Sequence, residues 1–146
     1  MKIKSHQDFP RERLLFIKKT LEKSSILKFL AVEIESISPG FARIRIPFRS
    51  DFLQSFGVVQ GGIIAMAGDT AAGIAFLTLI KENEILFTVE LKINFLVSIK
   101  KEDIFAECRI IHNGKLISLG EIEVKTAMGV LVAKGLATII SRSKKK

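Results

Sequence analysis

The stretch from Gln54 to Asp69 holds the residues whose types and spacing are best suited to chemistry. Gly61 and Gly62 open a long apolar segment that runs to Ile80. The N-terminus of a helix presents unpaired N–H groups and a partial positive charge, and glycine lets a ligand approach that backbone closely. Such an end can bind an anion or polarise a carbonyl group. The alternative role for the glycine pair is a tight turn that packs the helix against a sheet.

Asp69 is the second candidate, because it is the single charged residue between Phe56 and Ile80. A carboxylate on so apolar a helix is costly unless it is hydrogen-bonded, paired or functional, and a positioned carboxylate of this kind can act as a general base. Asp69 lies ~12 Å beyond Gly61 along one helix, so a second protomer would have to supply one of the two groups. The alternative is a structural carboxylate that bonds a strand end or nearby backbone.

Four further polar side chains can orient a water or a carbonyl group, and each is also a common loop or strand residue. They are Gln54, Gln60, Thr88 and Asn94. Cys108 lies in an alternating strand segment and is predicted to be a small buried residue rather than a nucleophile. The sequence has no zinc-ligand spacing, phosphate-binding loop or dinucleotide fingerprint, so no metal site and no separate cofactor are predicted.

The elements that must position these residues can be predicted from the spacing of apolar residues. Residues 9–23 predict an amphipathic helix, with Asp8 as its cap and Pro10 in its first turn. The period then changes to two, which predicts strands at Ala31–Ile37 and Phe41–Phe48. A helix that is apolar nearly all round follows from Gly61 to Ile80. Four strands then follow, joined by short turns that imply antiparallel pairing: Leu86–Ser98, Ile104–Ile111, Leu116–Thr126 and Val130–Ile140.

Two features of these elements shape the predicted fold. Apolar residues alternate with polar ones from Phe87 to Val97, so we expect the apolar set to share one buried face. A buried helix beside a curved antiparallel sheet predicts the α+β class, with the sheet wrapped around the helix.

The long apolar segment from Phe56 to Ile80 is not predicted to span a membrane. Asp69 near the centre of that segment would cost about 2.5–3.5 kcal/mol on insertion into a bilayer.

Composition limits the class of protein. A chain of 146 residues, 48% hydrophobic, fits one domain and excludes general disorder. One Cys excludes an intrachain disulfide and favours a reducing compartment, the cytoplasm, and no signal peptide is predicted at the start. Of the net charge of +8, four positive charges lie in the last six residues, which are read as a solvated tail rather than a nucleic-acid or membrane contact. Most of the 11 Phe lie in apolar runs and are read as core.

Several motifs together resemble a known family. The run Gly57–Gly62, followed by Asp69–Gly73, is similar to the signature of hotdog-fold acyl-CoA thioesterases, especially the phenylacetate-degradation (PaaI-like) and hydroxybenzoyl-CoA branch. Thr88–Leu96 and Gly129–Gly135 resemble the strand after the helix and the last hairpin of that family. The resemblance implies a hotdog domain over residues 30–141, preceded by a helical segment of the same domain at 1–29 and followed by a basic disordered tail at 142–146.

The resemblance also implies catalytic roles. Asp69 falls on the family's nucleophile or general base, and Gly61 on the backbone N–H that polarises the thioester carbonyl. Gln54 falls on the upstream amide residue, and Thr88 on a hydroxyl that helps to hold the attacking water. In the family the helix end and the acid come from different subunits. The chain departs from many members at Gln60, where they have a His that can take up a proton at neutral pH.

The remaining implied contacts concern substrate and assembly. Gln60, Gly62 and Asn94 are predicted to bind substrate, and Lys115 and Arg142 to hold the CoA phosphates. The substrate would be an acyl-CoA, whose CoA part is the only cofactor-like group, and the chain would assemble as a homodimer or a dimer of dimers. The alternative is a non-catalytic acyl-CoA-binding or regulatory hotdog protein, since fold does not fix function.

Overall fold

One long helix packs against a seven-stranded sheet in the structure, a computed structural model that describes residues 3–6 and 9–144. Within that part of the chain no helix is both long and apolar enough to cross a membrane. The helices are α1 (Arg11–Glu22), α2 (Ser25–Phe29) and α3 (Gly61–Leu77). The strands are β1 (Ile3–His6), β2 (Glu33–Ser38), β3 (Phe41–Ile46), β4 (Glu84–Phe95), β5 (Ile104–Asn113), β6 (Ser118–Lys125) and β7 (Leu131–Ser143).

The strands follow the order β1-β2-β3-β5-β6-β7-β4, which leaves β4 at one edge of the described sheet. All neighbours pair antiparallel except β1 and β2, which are parallel. Helix α3 lies against β3, β4, β5, β6 and β7. The predicted α+β arrangement of a central helix against an antiparallel sheet is therefore confirmed. The pairing implied between β4 and β5 is wrong, because β4 pairs with β7 and β5 pairs with β3. The strand β1 was not predicted, because its short polar sequence carries no alternation.

Small residues allow α3 to approach the sheet closely. Ala67, Ala71 and Ala75 are fully buried on the helix. Gly68 is the tightest point, since a Cβ there would lie 3.0 Å from Cγ2 of Ile122. Protein interiors pack at the density of organic crystals, so one added methyl group at such a point would force neighbouring atoms to move. The absence of a side chain at Gly68 therefore has a packing reason.

A β-bulge in β4 decides which of its side chains face α3. The pairing with β7 shifts between Thr88 and Glu90, which leaves Val89 as the extra residue. Thr88 faces the helix before the bulge, whereas Leu91 and Ile93 pack on the core after it. The prediction that the apolar residues from Phe87 to Val97 share one buried face is wrong for Phe87 and Val89, because the bulge reverses the alternation and leaves them 46% and 55% exposed. It is also wrong for Phe95 and Val97, which are 54% and 47% exposed at and beyond the end of this edge strand.

The ends of the chain differ from expectation in two places. Strand β7 continues to Ser143, which pairs with Glu84, so Arg142 and Ser143 belong to the sheet and not to a disordered tail. Lys145 and Lys146 lie outside the described residues, as does the predicted cap Asp8. Pro10 occupies the N-cap position of α1.

Ion pairs cross the outer face of the sheet and stabilise the ionised form of one carboxyl group, that of Glu123. Glu123 on β6 contacts Nζ of Lys125 at 2.5 Å and Nζ of Lys134 at 2.6 Å. Hydrogen bonds from these two ammonium groups lower the pKa of Glu123 from 4.5 to about 2. A carboxyl group with a lowered pKa in the folded state stabilises the fold above its unfolded pKa, and this stabilisation is lost as the pH falls.

We therefore expect the melting temperature of the wild-type protein to fall more steeply between pH 5 and pH 2 than that of Glu123→Gln. The variant has no carboxyl group at this position to protonate, so it loses this part of the pH dependence. Thermal unfolding by circular dichroism across the pH range measures the difference. Glu102→Gln, at a carboxylate in the loop after β4, is the control and should keep the steep wild-type slope. Equal slopes in wild type and Glu123→Gln would contradict the prediction.

Candidate active site

The N-terminal end of α3 is built by Gln60 and the two glycines that follow it. Gln60 is the N-cap, and its side-chain Oε1 accepts a hydrogen bond from the N–H of Ile63 at 3.3 Å. Gly61 and Gly62 are the first two residues of the helix, so their N–H groups have no acceptor within it. The ring of Phe95 lies over Gly61, since a Cβ there would be 3.4 Å from Cζ of Phe95.

The loop before α3 is held by a compact set of hydrogen bonds. The side-chain Oε1 of Gln54 accepts from the N–H of Phe56 at 2.8 Å, and its backbone N–H donates to Val58 at 2.9 Å. Gly57 has a φ of 73°, a left-handed conformation that favours glycine. The side-chain amide of Gln54 is thus oriented by the turn, and its NH₂ group is a donor for a further partner.

Asp69 and Thr88 form the second half of the candidate site. The hydroxyl of Thr88 on β4 donates a hydrogen bond to Oδ1 of Asp69 at 2.8 Å. Both side chains are half-buried. A carboxylate accepts hydrogen bonds at both oxygens, so one bond from Thr88 fixes its orientation and leaves it able to accept from a water. The pair therefore combines an oriented acceptor with partial access to solvent.

This pair opens into a cleft of about 310 Å³. Helix α3 and strand β4 form one side, and α1 and α2 form the other. Helix α1 is held against α3 by Arg13, whose guanidinium donates to the carbonyl of Leu77 at 2.7 Å. The volume lies near the lower end of the usual range for small-molecule sites, ~300–1,000 Å³. Sequence reasoning missed the contribution of α1 and α2, because an amphipathic pattern does not say where a helix docks.

The remaining predicted site residues lie away from this cleft within one chain. Asn94 is exposed on β4 opposite Lys134 of β7, next to the inward-facing Ile93. Lys115 lies in the turn between β5 and β6, beside the C-terminal part of α3. Arg142 is exposed and paired with Ile85. The structure therefore joins Asp69 to Thr88, and leaves the roles of Asn94, Lys115 and Arg142 as predictions.

Gly61 and Asp69 are separated along the same helix. Eight residues correspond to a rise of about 12 Å, so the helix end and the carboxylate of one chain do not meet over one atom. Cys108 offers no alternative nucleophile, because its side chain is fully buried and burial raises the pKa of the thiol to about 12. The central helix thus carries a backbone donor at its N-terminal end and a half-buried carboxylate two turns further on, and it is backed by an antiparallel sheet.

Comparison with known proteins identifies the family. Residues 56–133 match the Thioesterase superfamily, and the chain belongs to it. It is therefore a hydrolase that acts on thioesters, and the predicted enzyme class and hotdog fold are confirmed. The matched region contains the start of α3, Asp69 and Thr88, which are the parts of the site described above.

Relatives support this assignment along most of the chain. A putative esterase of Saccharolobus solfataricus is 37% identical over 113 residues, which cover 77% of this chain and 80% of the relative. A protein of Listeria monocytogenes named 1,4-dihydroxy-2-naphthoyl-CoA hydrolase is 28% identical over 117 residues, covering 80% and 95% of the two chains. Both relatives are thus matched over most of their own length.

Solved structures agree with the fold. A thioesterase family protein from Silicibacter pomeroyi superposes with a TM-score of 0.85 at 21% identity, covering 90% of this chain and 99% of that one. The PaaI protein from the phenylacetic acid degradation operon of E. coli gives a TM-score of 0.84 at 19% identity, covering 94% and 99%. At these identities the likeness concerns the fold alone.

Proposed function

We propose that this protein hydrolyses an acyl-CoA thioester to the free acid and CoA, at a site shared by two copies of the chain. One copy supplies the N–H of Gly61, and the other supplies Asp69 with Thr88. The observation that carries this proposal is the separation of the two groups by about 12 Å along α3, which one chain cannot bridge. The name of the Listeria relative, a CoA thioester hydrolase, supports CoA as the leaving group.

The edge of the sheet supports a partner at this place. Strand β4 is at the edge in the described chain, and Val89, Phe95, Leu96 and Val97 on and after it are each about half exposed. An apolar edge strand is a template for pairing with another chain. Phe95 also packs on Gly61, so the helix end lies beside this edge. A two-fold axis perpendicular to β4 would pair the two edge strands antiparallel and would therefore bring the helix end of each copy toward the other subunit.

The chemistry follows from these groups. The carbonyl oxygen of the thioester accepts from the N–H of Gly61, where the helix end stabilises the negative charge of the transition state. In one route Asp69 takes a proton from a water held by Thr88, the new C–O bond forms, and the C–S bond breaks. The proton then passes to the departing CoA sulfur. In the other route a carboxylate oxygen of Asp69 attacks the carbonyl carbon, the C–S bond breaks, and CoA leaves as a thiolate that takes a proton from solvent. Water then hydrolyses the resulting anhydride, which releases the free acid and restores the carboxylate of Asp69.

The proposal also gives roles to the remaining predicted residues. The amide of Gln54 would orient the thioester or the water, and Gln60, Gly62 and Asn94 would contact the substrate near the helix end. Lys115 and Arg142 would bind the CoA phosphates from the surface. The homodimer is the minimum assembly, and a dimer of dimers is compatible with it. No separate cofactor is needed, since water and the thioester supply every atom of the products.

Release of free thiol from a panel of acyl-CoAs tests the activity. We expect turnover of at least one acyl-CoA by the wild-type protein. Thermal stabilisation by acyl-CoA without any thiol release would overturn catalysis and favour the acyl-CoA-binding alternative.

Mixing two inactive variants tests the shared site. Gly61→Pro and Asp69→Ala each damage both sites of their own dimer. Their mixed dimer would hold one intact site, built from Gly61 of the Asp69→Ala chain and Asp69 of the Gly61→Pro chain. After unfolding and refolding an equal mixture, we expect recovery to about a quarter of wild-type activity, because half of the dimers are mixed and each has one site of two. No recovery, with mixed dimers detected by mass spectrometry, would contradict the shared site.

A further inference from the structure

The cleft that opens at Asp69 continues along α3 as an apolar channel. Asp69, Gly73 and Leu77 line it at intervals of one helical turn, so the floor extends about 12 Å beyond the carboxylate. Leu21 of α1 and Leu27 of α2 face this floor from the other side. The polar Asp69 lies at one end of the channel, and leucine and isoleucine side chains make up most of the remaining lining.

The hydroxyl groups on the wall do not change this character. Thr20 Oγ1 donates to the carbonyl of Phe16 at 2.9 Å, and Ser24 Oγ accepts from the N–H of Leu27 at 3.4 Å. Both hydroxyls are therefore engaged within their own helices. A ligand beyond Asp69 meets mainly apolar surface, which favours an apolar group over a polar one.

Gly73 keeps the middle of the channel open. A Cβ at this position would meet only Cδ1 of Leu86, at 3.9 Å, which is ordinary contact. Glycine within a helix is less favourable than alanine. At Gly68 packing against the sheet explains the glycine, since a Cβ would lie 3.0 Å from Ile122, but no such contact requires one at Gly73. A side chain at Gly73 would extend into the channel without displacing the backbone.

We propose that this channel holds the acyl chain of the substrate, and that Gly73 sets which acyl groups fit. The acyl group is a straight aliphatic chain of medium length, with its thioester carbon at Asp69 and its methyl end toward Leu77. The volume of about 310 Å³ and the length of two helical turns suit such a chain better than a short acyl group. This inference rests on the proposed function, because it assigns the substrate class of the same site.

Gly73→Val tests the channel with a series of substrates: acetyl-, butyryl-, hexanoyl-, octanoyl- and benzoyl-CoA. We expect wild type to prefer octanoyl-CoA over acetyl- and benzoyl-CoA. In Gly73→Val, kcat/KM for octanoyl-CoA should fall about tenfold or more, since misfitting groups in an apolar pocket cost that much, while acetyl-CoA changes little. Gly73→Ala should fold at least as well as wild type and shift the preference in the same direction by less.

Matched changes on the facing helices complete the test. Ile26 on α2 lines the channel, whereas Leu15 on α1 is also about half exposed and does not line it. Ile26→Ala should widen the channel and raise the relative kcat/KM for chains longer than octanoyl, and Leu15→Ala should leave the chain-length profile unchanged. The proposal would be overturned if Gly73→Val changed kcat/KM equally for all substrates or left it unchanged for all of them. It would also be overturned if the wild-type protein preferred benzoyl-CoA.

A binding measurement separates this inference from the proposed function. Octanoate, the free acid, should raise the melting temperature of wild type and of Asp69→Ala, and should not raise that of Gly73→Val. If the protein releases no thiol but still binds octanoate, the catalytic proposal is wrong and the assignment of the channel to an acyl chain stands. If octanoate raises the melting temperature of wild type and of Gly73→Val equally, the assignment of the channel to the acyl chain is wrong, whatever the thioesterase assay gives.

Discussion

Asp69→Asn is expected to lower kcat for acyl-CoA hydrolysis by about 10²–10⁴-fold, the range that general acid–base catalysis contributes. Asparagine has nearly the same shape and can still accept the hydrogen bond that Thr88 donates to Oδ1. It can neither take a proton from water nor attack the carbonyl as an anion. The loss is therefore one of chemistry rather than of structure. Thiol release under substrate saturation measures it, with thermal unfolding as the check on folding.

Thr88→Val tests whether the hydroxyl of Thr88 acts by orienting the carboxylate of Asp69 or contributes to catalysis on its own. Valine keeps the shape of threonine and removes the hydroxyl, so Asp69 loses its orienting partner but keeps its charge. We expect a smaller fall in kcat than for Asp69→Asn, and little further loss when both changes are combined, because the hydroxyl acts through the carboxylate. Wild-type rates from both Asp69→Asn and Asp69→Ala would contradict the catalytic role of the carboxylate.

Gly61→Pro is expected to lower kcat/KM by about 10²–10³-fold, the cost of removing one donor to a developing oxyanion. Proline is well tolerated at the first position of a helix, which Gly61 occupies, and it lacks only the N–H that the mechanism uses. The substitution thus removes a backbone hydrogen-bond donor with little cost to α3. Thiol release measures the loss, and circular dichroism should show wild-type helix content.

Gly61→Ala is the matched comparison for the proline variant. Alanine keeps the N–H and adds a Cβ about as close to Phe95 as the proline ring would be, at 3.4 Å from Cζ. The fall in kcat/KM caused by Gly61→Ala should be clearly smaller than the fall caused by Gly61→Pro. If the two variants lose activity equally, steric contact with Phe95 explains the effect, and the N–H of Gly61 has no special role.

The sequence predicted the parts of the site whose signal is local. The start of α3 at Gly61 and the polar candidates Asp69 and Thr88 follow from residue type and apolar pattern, and the structure joins the last two by a hydrogen bond. The contact itself depends on the bulge at Val89, which pairing with β7 imposes and which strict alternation conceals. Long-range pairing is absent from any local pattern, so such features are the hardest to predict.

The same limit applies to the ends of the chain. The short strand β1 forms because β2 offers it an edge, and β7 extends to Ser143 because β4 is there to pair with it. The wall that α1 and α2 give to the cleft depends on a bond from Arg13 to the end of α3, between residues 64 positions apart. None of these contacts has a signature within a short window of sequence.

The single extra residue in β4 has a consequence for how such a chain can change over generations. Deleting Val89 would remove the bulge and leave an uninterrupted two-residue repeat, in which Thr88 and Leu91 keep the face toward α3 that they already share. Deleting a residue outside the bulge, such as Lys92, would instead turn one half of the strand to the other face. Loss of one codon at Val89 is therefore compatible with the hydrogen bond between Thr88 and Asp69, whereas the same loss a few codons away reverses the sides of the strand.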